Sequence, residues 1–239
     1  PKVDAIFGLH AWPGKVGTVE YRSGPTMAAA ERMRITVTGS QTHGAVPWKG
    51  VDPIAISSQI ITALQTIVAR EVNITQVPAV VTIGSIHGGV RNNIIPEEVV
   101  MEGTIRTFND EVRKDIHDSI RKKAEMIASA SGATAKVEIF SDIAKVTFNE
   151  PSLTDKMVPS LERVYGKENV KITPFITGAE DFPFFTDHAP GLYFFNGVAP
   201  DPSKAAPNHS PYFFADERNL KYGTKALTQL AVDYLYLYK

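Results

Sequence analysis

Glu31-Arg32-Met33-Arg34-Ile35-Thr36-Val37-Thr38 alternates polar and apolar residues through Met33, Ile35 and Val37, which predicts a strand with one buried face over residues 31–38. The residues after it extend that strand into a domain. Asp52-Pro53 joins a capping oxygen to a proline suited to the first helical position. Ile56, Ile60, Ala63, Leu64 and Ile67 then recur at helical spacing. Residues 79–86, rich in β-branched side chains, predict a second strand, and residues 99–108 a third. The turn between these two holds Gly88, Gly89, Asn92 and Asn93. Asn109 predicts an N-cap, with Asp110 and Glu111 in the first turn, where the helix dipole favours negative charge. Val112, Ile116, Ile120 and Ile127 share one helical face, Gly132 is a natural stop, and residues 136–140 alternate as a fourth strand. Strand, helix, strand, strand, helix, strand is the ferredoxin-like split βαβ order. Residues 29–140 are therefore expected to form one small α+β domain.

The flanks read as α/β. Val3 to Leu9 predicts a buried strand with His10 at its carboxyl end, where open α/β sheets place their sites. A hairpin is expected around Gly14 to Tyr21. Later come a helix over 152–165, a strand near 170–173 and a strongly apolar strand from Gly191 to Phe195. The last helix is expected to start near Asp216 and Glu217 and to turn Leu220, Leu227, Leu230, Ala231, Tyr234 and Leu235 inward. The fold class is thus α/β with two domains. The small domain is inserted into a larger one made of residues 1–28 and 141–239, which has few strands for a doubly wound sheet.

Composition narrows the function. Across 239 residues, 25 Lys plus Arg nearly balance 26 Asp plus Glu, which argues against nucleic acid or an anionic membrane as partner. No apolar run is long enough to span a bilayer, and the start carries no signal-peptide pattern. With no cysteine, disulfides and thiolate nucleophiles are excluded within the segment. No phosphate loop or Gly-x-Gly-x-x-Gly is present, so a nucleotide-binding protein ranks last among the readings.

Six histidines are the main candidates for chemistry. His117, among Lys and Asp in mid-helix, reads as a solvated face; His188 reads as a structural loop residue, and His87 fits either role. His10 ends a buried strand, and His209 lies in Asn208-His209-Ser210-Pro211 before the last helix. Imidazole suits zinc, cobalt or manganese, although a catalytic zinc usually takes three protein ligands. His43, in the glycine-flanked stretch Gly39-Ser40-Gln41-Thr42-His43-Gly44, reads equally as an oxyanion donor or as a turn residue bonded to its own backbone. Asn93 and Arg106 flank one hairpin. Asn suits an amide or carbonyl and Arg a carboxylate, the alternatives being a turn residue and a surface charge. Glu180 and Asp181 favour N-terminal capping over acid–base work.

Six stretches carry a resemblance: Gly8-Leu9-His10-Ala11-Trp12-Pro13, Asp52-Pro53-Ile54, residues 88–96 (Gly88 to Pro96), Gly103-Thr104-Ile105-Arg106-Thr107-Phe108, Gly178-Ala179-Glu180-Asp181-Phe182 and His209-Ser210-Pro211. In this order they resemble the metal-dependent aminoacylase and carboxypeptidase family, in the branch of hippurate hydrolases, N-acyl-amino-acid amidohydrolases and auxin-conjugate hydrolases. The resemblance implies a zinc-peptidase-like α/β catalytic domain with an inserted lid that also forms a homodimer. It implies two divalent ions, zinc, manganese or cobalt, with His10 and His209 among the ligands. It implies that His43 reaches the partner subunit's active site and steadies the tetrahedral intermediate, and that Asn93 and Arg106 hold the substrate. The expected reaction is hydrolysis of the amide bond of N-acyl amino acids or small peptides, in the cytoplasm. The branch's remaining ligands, a Cys-x-His pair and a Glu from a Glu-Glu pair, precede the region matched here. The expectation is therefore an N-terminal truncation and a fragment inactive by itself. Thr42 and Trp48 also stand where the branch often has Gly and His. The rival from another class is a non-catalytic dimerisation or ligand-binding module on the same fold.

Overall fold

The computed structural model describes residues 2–237, and of residues 142 and 143 the backbone alone. The chain opens with three strands, β1 (Ile6–Lys15), β2 (Val19–Tyr21) and β3 (Gly24–Met27). There follow β4 (Ala29–Thr38), the short β5 (Thr42–His43), α1 (Pro53–Thr66), β6 (Ala79–Gly88), the two-residue β7 (Ile94–Ile95), β8 (Glu98–Thr107), α2 (Asp110–Ala130) and β9 (Thr134–Ala144). The rest comprises β10 (Thr147–Asn149), α3 (Pro151–Tyr165), β11 (Val170–Ile172), α4 (Pro183–Thr186), β12 (Gly191–Ala199) and α5 (Arg218–Leu237). Two compact units result. One is Ala28–Val146, and the other is the chain up to Met27 joined with the chain from Thr147 onward.

The Ala28–Val146 unit is a four-stranded sheet in the order β6-β8-β4-β9, every neighbouring pair antiparallel. That is the ferredoxin-like arrangement read from the periodicity. Met33, Ile35 and Val37 of β4 are fully buried against Ile60 and Leu64 of α1 and Ile116 and Ile120 of α2, while Arg32 and Arg34 point the other way. Each such side chain contributes roughly 1.5–3 kcal/mol when fully buried, so the alternation decides which sheet face the helices cover. The helix ends follow local chemistry. Asp52 accepts from the Ile54 and Ala55 amides, Asn109 accepts from the Val112 amide, and Gly132 sits at φ 76° just past α2.

The other unit has a four-stranded sheet in the order β1-β12-β2-β11. The hairpin expected over Gly14 to Tyr21 does not form: β2 pairs with β12 and β11, and β12 lies between it and β1. The reason is burial. All nine residues of β12 are buried, and such a strand takes a central place with partners on both edges. Its two faces divide the core. Leu192 and Phe194 pack with Met157 and Leu161 of α3 and Leu230 of α5, whereas Tyr193 and Phe195 pack with Met27 and Phe182.

α5 forms as expected but is rotated from its expected face. Asn219, Gly223, Ala226 and Leu230 are buried, while Leu220 and Leu235 are mostly exposed. Small residues let the helix approach the sheet closely. A Cβ on Gly223 would lie 2.8 Å from Asn196 Nδ2, so close fit outweighs the count of leucines. His117 departs from its expected solvated face as well. Its Nε2 lies 2.6 Å from Oε2 of Glu31, a carboxylate only 1% exposed on the helix-facing side of β4. Burial pushes the Glu31 carboxyl up, but hydrogen bonds from His117 and Ser141, with the charges of His117 and Arg113, outweigh it and hold the group below the usual range.

Candidate functional site

The sequence candidates fall into three places. The first is the middle of β1, where His10 is the fifth of ten residues and not, as expected, at the strand's carboxyl end, because pairing with β12 carries the strand on past it. β1 runs parallel to β12 with His10 opposite Phe195, so the imidazole shares a face with Tyr193 and Phe195. It lies in an aromatic surround, with ring centroids at 5.6 Å from Trp12, 6.4 Å from Phe195 and 6.5 Å from Tyr193. Gly8, on the same face, has no alternative: a Cβ there would sit 2.7 Å from the Phe182 ring.

His10 Nδ1 is 2.7 Å from the Ala11 carbonyl, which can only accept, so Nδ1 carries the proton. That leaves the Nε2 lone pair outward, 3.1 Å from Glu180 Oε1. Two acceptors at that distance need a proton or a cation between them. Two donors each about 2.1 Å from one tetrahedral zinc ion lie about 3.4 Å apart, so the spacing suits a shared ion. Glu180 thus faces His10, and no side chain caps α4. The capping role favoured for it is not what is observed. Its partner lies 170 residues away, and no local pattern signals such a pair. Tyr193 is pushed well up, first by burial and then by the Glu180 charge beside it.

His209 stands at φ 67°, the one non-glycine residue with positive φ among those described, in an exposed turn. Sparsely populated backbone of this kind clusters at functional sites. Asn208 Nδ2 donates to the Ala11 carbonyl at 2.9 Å, which ties the His209 loop to the backbone next to His10. Among the described residues, however, no group of three or more His, Cys, Asp or Glu is placed to hold a metal. The donor chemistry here is right for a divalent ion but short of a full set.

The second place is the tip of the Ala28–Val146 unit. β5 pairs with β7 so that His43 stands opposite Ile94. The Gly44 amide donates to the Asn93 carbonyl at 2.8 Å, which brings His43 and Asn93 side by side. Both are exposed. The third place is Arg106, near the far end of β8 opposite Ala30 and Val80. Its Nη1 is buried without a hydrogen-bond partner, and burial lowers its pKa from the usual value. The sequence reads Asn93 and Arg106 as flanking one hairpin. The structure puts most of β8 between them, and eight steps at ~3.3 Å separate Glu98 from Arg106 by ~26 Å. One small ligand cannot touch both within a single chain.

A ferredoxin-like unit inserted in sequence between the two parts of a unit with a mixed sheet defines the architecture. Similarity to known proteins places the chain further. Residues 30–131 match the peptidase dimerisation domain of the M20 peptidases. Thermostable carboxypeptidase 2 of Saccharolobus solfataricus is 38% identical over 236 residues, 97% of this chain and 58% of that protein. N-acetyl-L-cysteine deacetylase of Bacillus subtilis is 38% identical over 219 residues, 90% of this chain and 50% of that protein. The crystal structure of Bacillus subtilis YxeP, a dinuclear metal-binding peptidase of the M20 family, superposes with a TM-score of 0.76 at 30% identity, covering 98% of this chain and 58% of that one. The chain is homologous to the M20 metallopeptidases, as its motifs indicate, and its close homologues are hydrolases. It spans little more than half the length of these curated relatives. Among the described residues no helix is long and apolar enough to cross a membrane.

Proposed function

We propose that this chain works within a metal-dependent amidohydrolase that cleaves the amide bond of N-acyl amino acids or small peptides. The observation that carries the substrate class is Arg106. A half-buried guanidinium with an unpartnered buried donor is prepared for an anion, and its planar fork fits a carboxylate. Carboxypeptidase substrates and N-acyl amino acids both present a free carboxylate beside the scissile amide.

His10 and His209 would hold a divalent ion, zinc, manganese or cobalt. Bound ions would supply Lewis-acid polarisation of the amide carbonyl. This chain's own residues do the rest. Arg106 grips the substrate carboxylate, Asn93 bonds the amide or carbonyl, and His43 donates to the oxyanion that develops on attack by water. Because His43 and Asn93 sit at one end of β8 and Arg106 at the other, the two groups serve one substrate only if two copies contribute. The matched dimerisation domain supports such a homodimer.

The test is complementation in the natural enzyme. His43→Ala and Arg106→Ala homodimers should each lose most activity towards an N-acyl amino acid. Mixed dimers should regain about half of the wild-type activity per dimer, because one of their two sites is whole. Mixed dimers as inactive as the parents would overturn the shared-site reading. The second reading, a non-catalytic dimerisation or ligand-binding module, is favoured by the short donor set. It predicts a dimer with no hydrolysis at any metal concentration.

A further inference from the structure

The loop around His43 controls which ring nitrogen carries the proton. Three successive amides follow His43, and each has its own acceptor. Gly44 N–H donates to the Asn93 carbonyl at 2.8 Å and Val46 N–H donates to the His43 carbonyl at 2.9 Å. Between them, Ala45 N–H donates to His43 Nδ1 at 3.0 Å. An amide nitrogen cannot accept, so this bond exists only while Nδ1 keeps its lone pair. In the neutral imidazole the proton then resides on Nε2. His43 is exposed, and its Nε2 has no hydrogen-bond partner among the described residues.

The loop is held rigidly enough for this to matter. At its neck, Ser40 N–H donates to Val51 O at 2.9 Å and Val51 N–H to Ser40 O at 3.0 Å. Glycines allow the strands of the neck to approach. A Cβ on Gly39 would lie 2.2 Å from Val51 O, and one on Gly50 would lie 2.5 Å from Ser40 O. His43 itself is clamped by the pairing of β5 with β7. Freedom is therefore confined mainly to ring rotation about the side-chain bonds and to the choice of tautomer. The Ala45 amide restrains both.

We infer that the Ala45 backbone N–H is a positioning group that fixes His43 as the Nε2–H tautomer, so that a donor rather than a lone pair faces outward. This rests on the proposed role of His43 towards an oxyanion. A ring with its lone pair on Nε2 would repel a developing negative charge, and Ala45 removes that state in advance. The reading of the loop as a turn residue bonded to its own backbone and the reading as an oxyanion donor are thus both served, one by each nitrogen.

The experiment is nitrogen NMR on the uniformly ¹⁵N-labelled chain at about pH 8. Two signatures are expected for His43. Nε2 should show the shift of a protonated nitrogen and Nδ1 that of a lone-pair nitrogen. A through-hydrogen-bond coupling should link Nδ1 to the Ala45 amide nitrogen. Ala45→Pro deletes the donor, and the tautomer ratio should move towards Nδ1–H by about fivefold, the worth of one hydrogen bond. Should the proline unravel the loop, seen as lost exchange protection of the Gly44 amide, the coupling in the unmodified chain decides alone. A dominant Nδ1–H form, or no coupling, overturns the inference. An unchanged ratio in an intact Ala45→Pro loop does so too. None of these outcomes bears on whether His43 takes part in catalysis, which the turnover of His43→Ala tests separately.

Discussion

The tip that carries His43 and the stretch of β1 that carries His10 belong to different units and are built in different ways. The tip is local. Its bonds join residues 39–51 to 93–97, each a backbone group or a ring within the Ala28–Val146 unit. The His10 environment is assembled from afar, by Glu180, Tyr193 and Asn208, each at least 170 residues further along the chain. A single hydrogen-bond donor can be aimed by neighbouring amides alone. A metal ion needs several side chains converging from different elements, and the described residues supply too few. The difference predicts that the two regions fail independently and by different measures.

The largest effect should come at the tip. In the natural enzyme His43→Ala should lower turnover by ~10²–10³ with metal content unchanged, the typical loss for one oxyanion donor. His10→Ala should instead lower metal content and turnover together. Metal analysis beside steady-state kinetics separates the two cases. Normal turnover in His43→Ala, or metal loss accompanying it, would break the division between donor and ligand. The converse check uses the 239-residue chain alone. After incubation with zinc and removal of the excess, less than one tightly bound ion per chain is expected. Two tightly bound ions would show that the His10 region is as self-contained as the tip.

What could be read in advance obeys the same division. Asp52, Asn109 and Gly132 act on amides a few residues away, so their caps and stop were legible from the chain itself. The alternation through Met33, Ile35 and Val37 needed only that one face be buried. Non-local packing was not legible. The order β1-β12-β2 defeats the expected hairpin because a strand from residue 191 onward enters between two early ones. α5 turned by closeness of fit at Gly223, a property of the sheet and not of the helix. Glu180 was hidden because its partner is 170 residues away. The separation of Asn93 from Arg106 was within reach. Eight strand residues, 98–105, between them already imply a gap no small substrate can bridge.

A smaller effect should appear at the Glu31–His117 pair, where the Ala28–Val146 unit itself contains a long-range polar contact. His117→Ala should destabilise that unit by roughly 2–3 kcal/mol at neutral pH, because a carboxylate only 1% exposed loses its main partner. The folded Glu31 carboxyl lies below its ordinary value. Its contribution is therefore fully present above the unfolded pKa of ~4.3 and is lost as pH falls through the folded value. Urea unfolding at neutral pH and at about pH 3 should show the gap between wild type and variant shrinking in acid. A gap that stays constant or widens would mean that Glu31 is not the group coupled to His117.

The smallest effect sharpens the comparison most, because it touches the tip through one local bond. Asp52 caps α1 one residue after Val51, half of the neck that closes the His43 loop. Asp52→Ala should cost about 1 kcal/mol, the usual loss for an N-cap. If the tip is specified locally, that loss should fray the start of α1 and speed hydrogen exchange at the Ser40 and Val51 amides. Exchange at the buried β12 amides of the other unit should stay as it was. Protection lost equally in both units would mean that the tip draws its rigidity from the whole molecule, and the contrast between a locally built tip and a remotely assembled His10 region would fail.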